Sequence, residues 1–131
     1  MSQLQQAIEQ VKQAFIPYIM AGDGGLDKLE PTILRLQQLG ATAIEVGIPF
    51  TDPVADGPTI EAAGMRALAN GTNLTNVLKT LTTFAHKIEI PLVIMTYLNP
   101  ILAYGSERFA HDAKAAGVRG VIVPDMPFEE S

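Results

Sequence analysis

Three short runs of this 131-residue chain, Ala43–Ile48, Leu92–Thr96 and Gly120–Val123, are apolar almost from end to end. A strand on a half-solvated sheet alternates apolar and polar residues, whereas a parallel strand covered on both faces does not. Between the runs, apolar residues recur at helical spacing. Leu29, Ile33, Leu36 and Leu39 form one stripe, ended by Gly40, and Leu74, Val77, Leu78, Leu81 and Phe84 form another behind a candidate cap, Asn73. Ser106 is expected to cap a further helix that runs to Ala116 and stops at Gly117. Phe15–Ala21 is the first strand candidate, although Pro17 removes a ladder donor within it. Ser2–Gln13 and the alanine-rich Thr59–Asn70 read as helices, and Tyr97–Pro100 as a turn. The order is βαβαβαβ behind an extra helix. That alternation calls for a parallel α/β sheet, either open and doubly wound or part of a (β/α)8 barrel of TIM type.

The barrel makes the sharper claim, because its chemistry gathers at the C-terminal ends of the strands. Polar residues do collect there: Asp23 after the first strand, Asp52 and Asp56 after the second, Tyr97 and Asn99 after the third, Asp125 after the fourth. No G-x-G-x-x-G or P-loop follows an early strand, and GDGG at residues 22–25 reads as a flexible turn.

One residue breaks the apolar pattern. Glu45 sits in the middle of the second run, and a charge inside a buried strand costs several kcal/mol unless it is paired or neutralised. A second carboxylate, Asp56, follows on the next loop. Two carboxylates brought to one strand end suit general acid–base chemistry. The competing readings are structural: Glu45 as a solvent-facing edge residue, and Asp52 and Asp56 as turn formers beside Pro and Gly. Asp23 reads as a turn residue, and Asn99-Pro100 as a turn initiator. His86 and His111 lie apart on predicted helices and read as surface residues rather than metal ligands.

Composition narrows the function classes. A net charge of −5 leaves no basic stripe for nucleic acid. The absence of cysteine removes disulfides, thiolate nucleophiles and thiolate metal sites. No apolar run is long enough to span a bilayer, and MSQLQQAIEQ lacks the basic and apolar regions of a signal peptide. A cytoplasmic location and one domain are the expectation.

FIPYIMAGDGG, EVGIPFTDPVADGPTI, MTYLNPILAYG and VIVPDMPFEES, in that order and spacing, resemble the tryptophan synthase alpha chain family. The resemblance runs from about Phe15 to Ser131 and covers about half of the family's length. It implies a (β/α)8 barrel of which the first four strands, a half-barrel, lie in residues 1–131. It implies a lyase of tryptophan biosynthesis that cleaves indole-3-glycerol phosphate to indole and glyceraldehyde 3-phosphate. Carried over by motif, Glu45 and Asp56 are the catalytic carboxylates: the first protonates the indole ring carbon and the second holds the indole N–H. Tyr18 and Tyr97 match positions that line the indole pocket. Asp52, Pro53 and Asn99 match loops that face the partner, a beta chain in an alpha2beta2 heterotetramer. Asp125 matches a position near the mouth. No cofactor is implied in this chain; pyridoxal phosphate is expected on the beta chain. In such barrels the phosphate grip comes from strands seven and eight, so these residues are expected to be one half of a longer protein. A half-barrel by itself is expected to be inactive and to self-associate, and an alternative role is that of a non-catalytic interaction module.

Overall fold

The computed structural model describes residues 14–50, 66–68 and 71–125. The helix expected at Ser2–Gln13 lies outside them, as does most of Thr59–Asn70, of which residues 66–68 are helical. Four strands, β1 (Tyr18–Met20), β2 (Ile44–Gly47), β3 (Leu92–Met95) and β4 (Val118–Ile122), form one sheet in the order β1-β2-β3-β4. Every pairing is parallel. The helices are α1 (Leu29–Gln38), α2 (Leu74–Phe84), α3 (Leu98–Tyr104) and α4 (Ser106–Ala115).

The strand order decides between the two architectures. A doubly wound sheet reverses its order at a switch point. A sheet that counts upward without reversal, through right-handed crossovers, keeps all its helices on one face. The core lies between that face and the helices. Ile44, Val46 and Ile48 of β2 and its end meet Leu92 and Ile94 of β3, with Ile33, Leu78, Leu81, Phe84 and Phe109 packed on them. Ile33, Ile44, Val46, Leu81, Leu92 and Ile94 are fully buried, and each such side chain contributes about 1.5–3 kcal/mol.

Local chemistry sets the ends of the helices. Asn73 Oδ1 accepts the Asn76 N–H at 2.9 Å, the expected N-cap of α2. Gly40, at φ 95°, closes α1: its N–H donates to Gln37 O and the Ala41 N–H to Leu36 O, both at 3.1 Å. That pair of bonds needs a left-handed residue, which glycine adopts at little steric cost. Pro31 falls in the first turn of α1, where its missing N–H costs nothing.

Four expectations change. Tyr97–Pro100 is not a turn: Tyr97 precedes α3, and Pro100 fits in that helix's first turn. Ser106 is not a cap; the cap is Gly105, at φ 101°, which ends α3 and starts α4 without a side-chain bond. Strand β1 is shorter than Phe15–Ala21, beginning only after Pro17. Strand β4 begins at Val118 rather than Gly120, because the register steps from Leu92↔Val118 to Val93↔Gly120. Arg119 is the extra residue of that bulge and is exposed, which is how a charged residue enters an apolar strand. Full cover on both faces describes β3 well, but in β4 Val121 and Ile122 are 40% and 42% exposed. No helix among the described residues is long and apolar enough to cross a membrane.

Candidate functional site

The pleat of β2 sends Ile44 and Val46 into the core, and Glu45 and Gly47 to the opposite face of the sheet. Parallel register carries that face across the strands. Tyr18, Glu45, Val93 and Gly120 form one row, and Met20, Gly47, Met95 and Ile122 form the next row toward the C-terminal ends. The core helices do not cover this face. Glu45 is half-buried rather than sealed in, between Tyr18 on one neighbouring strand and Val93 on the other. The apolar neighbours of Glu45 are therefore lateral, and the residue keeps part of its surface exposed.

Tyr18 does not stand straight up from its row. Its ring leans along the sheet over Gly47, so closely that a Cβ there would lie 2.6 Å from Tyr18 Cζ and 3.1 Å from Cε2. At the C-terminal ends the ladder continues through Ala21 N–H to Gly47 O, Ile48 N–H to Met95 O and Thr96 N–H to Ile122 O. Just beyond, the ring of Phe50 meets that of Tyr97 at 5.6 Å between centroids and 44° between planes. Tyr97 is buried, while Asn99, on the first turn of α3, is exposed.

Two acidic residues at this end have structural partners. Asp125 Oδ1 accepts the Leu98 N–H at 2.9 Å and caps α3, which pins the end of β4 to the end of β3. Asp23 forms a two-pronged pair with Arg66, Nε to Oδ1 at 2.8 Å and Nη2 to Oδ2 at 2.9 Å. The guanidinium, chiefly through these hydrogen bonds, holds the Asp23 carboxyl below the ordinary carboxylate range. This pair and Tyr18 line an open cleft of ≈ 380 Å³ beside β1. Asp52, Pro53 and Asp56 lie outside the described residues. The structure thus brings Glu45 and Tyr18 together in one row and places Tyr97 and Asn99 past the end of β3.

Sequence reasoning did not single out Gly47, Arg66 or the capping role of Asp125. A lone glycine inside a strand is a known sign of a close approach, so Gly47 carried a signal. Arg66 and Asp23 are distant in sequence, and nothing in their spacing linked them. His111 lies on the outer surface, with Nδ1 3.1 Å from Asp112 Oδ1, and His86 is exposed. Among the described residues no three acidic or histidine side chains gather as a metal site would need.

Residues 4–131 match the family model described as "Tryptophan synthase alpha chain". The chain belongs to the tryptophan synthase alpha chain family. A tryptophan synthase alpha chain of Bacillus mycoides is 55% identical over 124 residues, which is 95% of this chain and 48% of that relative. A Bacillus cereus alpha chain is 54% identical over the same share. Among solved structures, tryptophan synthase subunit alpha from Legionella pneumophila superposes with a TM-score of 0.91 at 38% identity, covering 99% of this chain and 52% of that one. A chain of the tryptophan synthase complex from Pyrococcus furiosus reaches 0.80 at 43% identity, over 87% of this chain and 47% of the other. The chain therefore spans about half the length of the tryptophan synthase alpha chains it matches, and its four strands are half of a TIM-type barrel.

Proposed function

We propose that these residues are the N-terminal half of a single-domain alpha-chain barrel, and that they contribute the acid–base part of its active site. The reaction is the cleavage of indole-3-glycerol phosphate to indole and glyceraldehyde 3-phosphate, a lyase step in tryptophan biosynthesis in the cytoplasm. The observation that carries this reading is Glu45, half-buried on the strand face turned away from the core and in register with Tyr18.

The proton balance suits one carboxyl group at that place. Glu45 in its acid form donates a proton to the ring carbon that bears the side chain. A C–H bond forms, aromaticity is lost and positive charge builds on the ring nitrogen. Asp56, as a carboxylate, accepts a hydrogen bond from the ring N–H and stabilises that charge. The carbon–carbon bond to the glycerol phosphate then breaks, and its electron pair restores the indole. The hydroxyl on the departing carbon loses its proton to Glu45 and becomes the aldehyde. Glu45 gives one proton and takes one back, so the site returns to its starting state.

Tyr18 and Tyr97 are the walls of the indole pocket in this reading. Asp52, Pro53 and Asn99 face a beta chain, which carries pyridoxal phosphate and joins this subunit in an alpha2beta2 assembly. The complex from Pyrococcus furiosus supports such a partner. The test is Glu45→Gln in the whole polypeptide that contains these residues. Indole formation is expected to fall by about 10²–10⁴ while the melting temperature holds. Normal turnover by that variant would remove Glu45 from the mechanism. Beta-chain binding without any turnover in the unaltered protein would favour an interaction module instead.

A further inference from the structure

The close approach of Tyr18 to Gly47 has a functional reading, which rests on the reaction proposed above. We infer that Gly47 is a positioning residue: it leaves the recess into which the Tyr18 ring tip settles, and so determines how much space an aromatic ligand finds beside Glu45.

Tyr18 and Glu45 are direct register partners, and Met20 and Gly47 are partners one layer further along the same face. A side chain at residue 47 would stand up from that face where the Tyr18 ring now lies. Even a methyl group would meet the phenol oxygen far inside contact distance, with Cζ at 2.6 Å and Cε2 at 3.1 Å. The other glycine on this face differs. A Cβ on Gly120 would meet the Val93 methyl groups at 3.6 and 3.8 Å, an ordinary contact. Gly47 is also free of a backbone reason for being glycine, because its φ is not positive, unlike Gly22 or Gly40. What the glycine provides at this position is room for the ring.

An aromatic ring turns as one rigid plate about two torsions, so Tyr18 can leave the recess by changing rotamer. The displaced atoms are the far end of a side chain rather than backbone. The move disturbs the site, because the ring then shifts along the face that it shares with Glu45. The variant Gly47→Ala is therefore expected to act on ligand binding more than on stability. The ligand class is a planar, fused aromatic ring, which lies against the face of Tyr18.

The test uses Gly47→Ala, Tyr18→Leu and their combination in the whole polypeptide. Gly47→Ala should raise KM for the indole-bearing substrate about tenfold and lower kcat by a smaller factor. If Gly47 acts through Tyr18, the double variant should match Tyr18→Leu alone in KM, within about twofold. Losses that multiply would overturn the inference. An independent reading comes from the ring signals of Tyr18 in NMR, which should move in Gly47→Ala and stay in Gly120→Ala. Unmoved signals in Gly47→Ala overturn the inference whatever the enzyme does. If the unaltered protein forms no indole, the proposed reaction fails while the ring signals still decide the packing. If Gly47→Ala does not fold, the double variant, which lacks the clash, must fold as Tyr18→Leu does; its failure would show that Gly47 serves another purpose.

Discussion

Arg66 grips Asp23 by two parallel hydrogen bonds, yet their side chains remain 59% and 31% exposed. Such a pair fixes direction more than it adds stability, because water and salt screen it. Its pH dependence has a definite sign. The folded-state carboxyl titrates below its ordinary value, so the unfolded chain binds the proton more readily. The stabilisation is present above about pH 4, the ordinary Asp range, and is lost as pH falls through the lowered folded value. Carbon-13 NMR of the Asp23 carboxyl should find a depressed midpoint, and Arg66→Ala should return it to the ordinary range. A midpoint unaffected by Arg66→Ala would contradict the pairing. On the outer surface Asp112 behaves similarly: the Tyr104 hydroxyl and then His111 hold its carboxyl low, and Arg108 lies 4.6 Å over the Tyr104 ring.

At the scale of elements, two caps govern how the helices meet the sheet. Asn73→Ala removes the side-chain acceptor of α2 and is expected to cost about 1 kcal/mol in urea unfolding. Asp125→Ala should cost a similar amount and speed hydrogen exchange at the Leu98 amide, since it also detaches α3 from the end of β4. An unchanged Leu98 amide would sink the capping role of Asp125. The two caps also mark what could be read in advance. Asn73 stands directly before its helix, so its role is written in adjacent residues. Asp125 reaches back 27 positions to Leu98, and only tertiary structure joins them. The same division runs through the fold and the site. Strands β2 and β3 and helices α1 and α2 follow from apolar spacing and from Gly40 and Asn73. The helix α3 was hidden because Asn-Pro is turn chemistry, and here Pro100 sits inside a first helical turn. Arg119 masked the start of β4, because a bulge, rather than a pattern, accommodates it. Glu45 was legible as an exception in an apolar run; its lateral burial beside Tyr18 came only from register.

For the whole molecule, the consequence of the upward strand count is two outer strands, β1 and β4, with no further strand beside them among the described residues. Parallel edges offer unpaired backbone groups, and β4 also presents Val121 and Ile122 to solvent. A polypeptide of just these 131 residues is therefore expected to sediment as a self-associated species. A stable, well-behaved 14.0 kDa monomer in sedimentation would count against that expectation.

The order β1-β2-β3-β4 has a further consequence, for the time course of synthesis. Each strand after the first pairs with the one made just before it, and each crossover helix closes on the sheet once the strand that follows it is in place. Strands β2, β3 and β4 each emerge with a first partner already made, so a ribosome can release this sheet one rung at a time, with few wrong partners in reach.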